Sequence, residues 1–357
     1  MSRELLAQPL LLVVGSGGVG KTTLAAAMGL HAAREGARTL VMTFDPSLRL
    51  KDALGVGKAA RDRAVRVDVD TPGRLDVALL DARTTFDRLV RRYAPDEAAA
   101  ERIFRNRFYD DLAGNLAGIL EYMAVERLFE VAVEGKYDRV ILDTPPTRQA
   151  LEFLEAPDRI VGFLDSGALR IALKPWFDRK GGLRGLPMRL VGKGIEGMLD
   201  RIVGMRLLRD MAEFFQAFAP LFDGFRARAS EVRALLRAPG TLFVLVSGPG
   251  EERIPDTLFF ARKLTEAGHR LGPIVVNQSH PVLPPAAASA TGPLAEGLHL
   301  LAYLGERDRR GYDRLRGLLS GGEALVTVPL QPTPPTDLAS LEALGRLLAD
   351  RLRAFAA

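Results

Sequence analysis

Residues 15–23 read Gly15-Ser16-Gly17-Gly18-Val19-Gly20-Lys21-Thr22-Thr23, which satisfies the spacing G-x-x-x-x-G-K-[ST]. In that spacing, backbone amides converge on phosphate oxygens, and glycines allow it because no Cβ stands in the way. An apolar run, Leu10–Val14, precedes the loop, and an alanine-rich helical pattern, Thr22–Glu35, follows it. A helix beginning at Lys21 would aim the positive end of its dipole at the same anion. Lys21 would neutralise β- and γ-phosphate charge, and Thr22 would ligate Mg²⁺.

Two acidic residues sit where such chemistry needs them. Asp45 ends the run Thr39–Asp45, and Asp143 ends Arg139–Asp143. In a parallel sheet both strand ends open on the edge where the phosphate loop lies. A carboxylate there can hold magnesium through water or orient an attacking water. Taken singly, each also fits an ordinary helix cap.

These residues need a sheet to hold them. Candidate strands are Leu10–Val14, Thr39–Asp45, Leu75–Asp81, Arg139–Asp143, Thr241–Ser247, Gly272–Asn277, Leu300–Leu304 and Leu325–Leu330. Several are apolar at every position, as expected for strands covered on both faces. Alternation with helical patterns such as Leu258–Ala267 predicts an α/β phosphate-loop NTPase fold. Its doubly wound, mostly parallel sheet would have about eight strands. Residues 161–236 show helical patterning without a convincing strand. They are expected to form an inserted helical subdomain, with 1–160 and 237–357 as a discontinuous phosphate-loop sheet domain. Within the insertion, Leu207, Leu208, Met211, Phe214, Phe215, Phe218 and Leu221 recur at helical spacing. That stripe reads first as packing, and second as an adaptable groove for an apolar client. The helix Asp337–Phe355 carries Leu338, Leu341, Leu344, Leu348, Leu352 and Phe355 along one face; it is expected to dock on the core, with a membrane-surface anchor as the alternative.

Composition removes several classes. Zero cysteines among 357 residues exclude disulfides, thiolate zinc sites and cysteine nucleophiles. Four dispersed histidines offer no metal cluster. Eight lysines and 41 arginines face 44 acidic residues, and the arginines are scattered from Arg3 to Arg353. A nucleic-acid face needs a concentrated stripe, so no specific nucleic acid is expected. No apolar run reaches the roughly 18 residues of a membrane span, and no leader pattern is seen, so a cytoplasmic location is expected.

The sequence also carries a family resemblance. Gly15–Thr23 resembles the G-K-G-G-V-G-K-T-T loop of the deviant Walker A ATPases, within the SIMIBI class. Asp45-Pro46-Ser47-Leu48-Arg49-Leu50-Lys51-Asp52-Ala53-Leu54 is similar to the D-P-A-x-x-L-x-D-A-F segment of the ArsA/Get3 branch. Asp143-Thr144-Pro145-Pro146-Thr147 is similar to its D-T-A-P-T, Val275-Val276-Asn277-Gln278 to its V-V-N-Q, and Val328-Pro329-Leu330 to its V-P-L. The resemblance implies ATP and Mg²⁺ as ligands. It makes Asp45 the residue that positions the hydrolytic water and Asp143 the opening of a second switch, holding magnesium through water. Asn277 would hydrogen-bond adenine, with Pro329 and Leu330 lining the base. It also implies face-to-face dimers whose closure controls a protein client or a membrane transport partner.

Ser16 departs from that pattern. The family places there a lysine that reaches the partner's nucleotide, and serine has neither the reach nor the charge. Three readings follow: slow self-contained hydrolysis, a mainly nucleotide-sensing subunit, or a heterodimer with a lysine-bearing paralogue. Separately, a MinD/ParA-like positioning ATPase stays open as a further alternative. Without cysteine, neither a zinc-clamped dimer nor an arsenite site built on thiols is expected.

Overall fold

The computed structural model describes residues 6–43, 54–56, 63–106, 109, 119–165, 214, 217–289, 291–319 and 323–356. Eight strands form one sheet: β1 (Leu10–Gly15), β2 (Arg38–Thr43), β3 (Val65–Arg66), β4 (Arg74–Leu79), β5 (Arg139–Asp143), β6 (Thr241–Ser247), β7 (Leu271–Ser279) and β8 (Leu325–Pro329). Their order is β3-β4-β2-β5-β1-β6-β7-β8. Every neighbouring pair is parallel except β3–β4. β1 is buried at all six positions, which its unbroken Leu-Leu-Leu-Val-Val requires of a central strand covered on both faces. The chain winds to one side of β1 through β2, β4 and β3, and later to the other through β6, β7 and β8. The loop leaving β1 therefore lies at the reversal of winding, where open α/β sheets bind ligands.

The longer helices are α1 (Lys21–Arg34), α2 (Ala82–Tyr93), α3 (Glu97–Phe104), α4 (Ile119–Glu134), α5 (Thr147–Asp165), α6 (Phe222–Arg237), α7 (Ile254–Glu266), α8 (Ala295–Leu318) and α9 (Leu338–Ala356). By contact density the chain divides into two units. One comprises Met1–Asp81, Leu128–Leu151 and Leu235–Ala357 and holds the whole sheet; the other comprises Ala82–Arg127 and Glu152–Ala234. Of the stretch 161–236, residues 166–213, 215 and 216 lie outside the described residues, and with them Leu207, Leu208, Met211 and Phe215.

In the sheet unit, α1 and α9 share one core with the strands. Leu341, Leu344, Leu348 and Leu352 of α9 are each at most 3% exposed and cluster with Leu24, Ala27 and Met28 of α1. The expected docking of this apolar face is thus observed. α1 ends in a glycine cap: Gly36 has φ 92°, and Ala37 N–H returns to Ala32 O at 3.0 Å, closing a Schellman-type turn.

One expected strand is not a strand. Leu300–Leu304 lies inside α8, and Leu300, Leu301 and Tyr303 are exposed there. The buried residues of α8 are Gly305, Asp308, Gly311 and Leu315, at helical spacing, so the apolar run falls on an outward face. The eighth strand is instead the two-residue β3, antiparallel to β4.

The helical unit has an aromatic core. Phe214, Phe218 and Leu221 from the predicted stripe are buried with Phe86, Tyr109 and Phe225. Phe218 and Phe225 lie 5.0 Å apart between ring centroids, and Phe86 stacks on Tyr109 at 5.1 Å. Alongside runs an ion pair between Arg228 Nε and Glu126 Oε1 at 2.7 Å, with side chains 7% and 0% exposed. Desolvation of the guanidinium works against its charge, but the carboxylate more than compensates and raises the Arg228 pKa. Arg228→Met leaves Glu126 facing a low-dielectric interior, and urea unfolding should show a loss of about 3–5 kcal/mol. Adding Glu126→Leu should recover most of that loss, since an apolar pair of similar volume replaces two buried charges.

Candidate functional site

The site is built at the carboxyl ends of β1, β2 and β5. Parallel pairing sets Val13 beside Asp143 and Thr43 beside Asp143, so three strand ends meet at one level. Asp143 is 2% exposed. Its Oδ2 accepts from Thr22 Oγ1 at 2.7 Å and from Thr43 Oγ1 at 2.8 Å. Thr144, next in chain, is pinned to β1 through its hydroxyl on Val13 O at 2.8 Å. The phosphate-loop threonine and the strand-end aspartate, both singled out by sequence, are therefore in direct contact.

Lys21 is 7% exposed, and its Nζ donates to Ser16 O at 2.9 Å, so the ammonium folds back across the loop that should cradle phosphate. Gly20 caps α1 with φ 88° and offers no side-chain acceptor. The first amides of α1 thus carry the orphan donors and the positive dipole end that anions favour. Gly17 and Gly18 are exposed at the crest of the loop, and Val19 is buried beneath it. The left-handed φ at Gly20 favours glycine, and a Cβ there would also displace the Asn277 side-chain amide.

Asn277, 6% exposed near the end of β7, donates from Nδ2 to Val19 O at 2.9 Å. The residue expected at adenine therefore also ties β7 to the phosphate loop. Gln278 follows with φ 60°, the one non-glycine residue with positive φ among the described residues, where the β7–β8 register shifts. Leu330 is 49% exposed, and its N–H donates to Ser279 O at 2.9 Å, which holds Pro329 and Leu330 against the end of β7. Beyond it, the buried Asp308 takes both His280 N–H and His280 Nδ1, and accepts from Arg307. Burial alone would raise the Asp308 pKa; these donors hold it below the usual carboxylate value.

Asp45 and Arg49 lie outside the described residues. Thr43 and Val19 O, by contrast, emerge only from the structure. A threonine ending an apolar run carries no periodic signal, and a carbonyl carries none at all.

Magnesium binds hard oxygen donors and keeps several waters, taking one or two carboxylates alongside substrate phosphates. Thr22 Oγ1 and the Asp143 carboxylate, 2.7 Å apart at the mouth of the loop, fit that demand.

Comparison with known proteins agrees with this geometry. Residues 8–181 match the family described as anion-transporting ATPase. The match covers slightly under half of the chain and supports that family for the segment holding the phosphate loop, Asp45 and Asp143. An uncharacterized protein of Streptomyces coelicolor is 29% identical over 340 residues, covering 92% of this chain and 79% of its own length. The ATPase ARSA2 of Chlamydomonas reinhardtii is 29% identical over 206 residues, or 53% of this chain and 52% of that protein. The ATPase get3 of Neurospora crassa is 29% identical over 149 residues, or 41% and 42%. The matched region thus spans about half or less of these two ATPases. Among the described residues, no helix is long and apolar enough to cross a membrane.

Proposed function

We propose that the whole chain is a magnesium-dependent ATPase of the anion-transporting, ArsA/Get3 type, acting as a dimer in the cytoplasm. The observation that carries this is the contact of Thr22 with Asp143 beneath a loop whose lysine is buried against it. In this reading Gly15–Thr23 wrap the phosphates, and Lys21 leaves Ser16 O to meet the β/γ oxygens. Thr22 and, through water, Asp143 hold Mg²⁺, which shields phosphate charge when bound. Asp45 orients the attacking water. Asn277 addresses adenine by the side-chain capacity that its bond to Val19 O leaves over, with Pro329 and Leu330 against the base. Closure of two copies would act on a protein client or membrane partner through the 161–236 segment.

Ser16 favours a second reading, a nucleotide-sensing subunit paired with a lysine-bearing paralogue. Turnover of the isolated chain is accordingly expected to be slow. Ser16→Lys should raise magnesium-dependent phosphate release by at least about 10-fold, a small part of what a cation supplied in trans contributes to phosphoryl transfer. Light scattering on a sizing column should show a dimer in ATP. A mass identical in ATP, ADP and buffer, with no phosphate released by either chain, defeats the homodimeric ATPase.

A further inference from the structure

We propose that Thr43 is a positioning residue for the magnesium-holding carboxylate, an inference that rests on the magnesium–nucleotide reading above. Thr43 is the last residue of β2 and is 2% exposed. Leu40, Val41 and Met42 before it are apolar and fully buried, so its hydroxyl is the polar exception in the run. A buried hydroxyl needs a partner, and this one takes Asp143 Oδ2 at 2.8 Å. Register explains the aim: Thr43 and Asp143 are paired residues on adjacent parallel strands, so their side chains leave the sheet on the same face.

The chemistry follows from counting protons. A threonine hydroxyl has one proton and two lone pairs. Thr22 commits its proton to the same Oδ2 at 2.7 Å, so its lone pairs are turned away from the carboxylate. Two donors on one oxygen fix the rotamer of the carboxylate. Thr43 differs from Thr22 in lying on a strand outside the 15–23 loop, and in this proposal it contacts the carboxylate without itself ligating metal or phosphate. It acts through Asp143, in the manner of outer partners that orient metal ligands.

The test uses the full chain, a fluorescent ADP analogue and a magnesium titration. Thr43→Val keeps the branched shape and removes the hydroxyl; Thr43→Ser keeps the hydroxyl. The half-saturating magnesium concentration should rise about 10–100-fold in Thr43→Val, with Thr43→Ser restoring it to within about threefold of the natural chain. Affinity for the analogue in EDTA should change less than about twofold in both. Thr43→Ala gives the same readout if the valine variant does not fold. An unchanged magnesium midpoint in the variant lacking the hydroxyl overturns the proposal. So does an equal loss of analogue affinity with and without metal, which marks a merely structural threonine. A natural chain that binds the analogue without any magnesium dependence instead overturns the reading on which the proposal rests.

Discussion

Lys21→Met should reduce ATP turnover by at least about 100-fold, the usual consequence of removing one preorganised donor from a developing phosphate charge. The structure makes the loss separable from misfolding. Lys21 is 7% exposed, and burying an ammonium carries a desolvation cost that an apolar side chain of similar length avoids. The nucleotide-free variant should therefore melt no lower than the natural chain. What should vanish is the stabilisation that ligand provides. At a nucleotide concentration 100 times the dissociation constant, linkage supplies about 2.7 kcal/mol to the natural chain. A variant that keeps full ATP-induced stabilisation and turnover would place the phosphate elsewhere.

Gly15→Ala should be the most disruptive single methyl in the sheet unit. Gly15 ends β1 at φ 148° and is paired with Val246 of β6, whose carbonyl oxygen a Cβ would overlap. The obstacle is backbone in a central strand, so relief requires parting β1 from β6. Overpacking of about 1–3 kcal/mol adds to unfavourable backbone geometry of about 1–3 kcal/mol, and chemical denaturation should show a loss exceeding about 3 kcal/mol. Gly18→Ala is the informative control. Gly18 also has positive φ, 76°, but nothing lies within 4 Å of its Cβ position. Its stability cost should stay near the 1–2 kcal/mol of a left-handed residue, while nucleotide affinity falls because the methyl occupies the crest of the loop. Equal stability losses for the two alanines would show that the loop, and not the β1–β6 seam, sets the requirement for glycine.

The strand–loop–helix around residues 15–23 was legible because it is local: nine consecutive residues carry the motif, and the flanking strand and helix follow from short stretches of sequence. Asp143 was legible for the same reason, as an acid closing such a run. What escaped is long-range. Thr43 reads as strand filler until the β2–β5 register sets it beside Asp143, a partner 100 residues away. Asn277 stood out by resemblance, yet its bond to Val19 O joins residues 258 apart and no pattern announces it. The run Leu300–Leu304 misled for a physical reason. Consecutive leucines imitate a buried strand, whereas here they coat the exposed side of a 24-residue helix whose inward face is partly glycine. The two-residue β3 was too short to leave a periodic trace. Nor could sequence alone gather Ala82–Arg127 with Glu152–Ala234, since two separate stretches compose that helical unit.

Calorimetric titration of the purified chain with ATP, once in excess magnesium and once in EDTA, addresses the central claim most directly. The buried lysine and the paired threonine and aspartate predict saturable binding that tightens by at least about 10-fold when magnesium is present. Heat of binding indistinguishable from dilution in both titrations would contradict it.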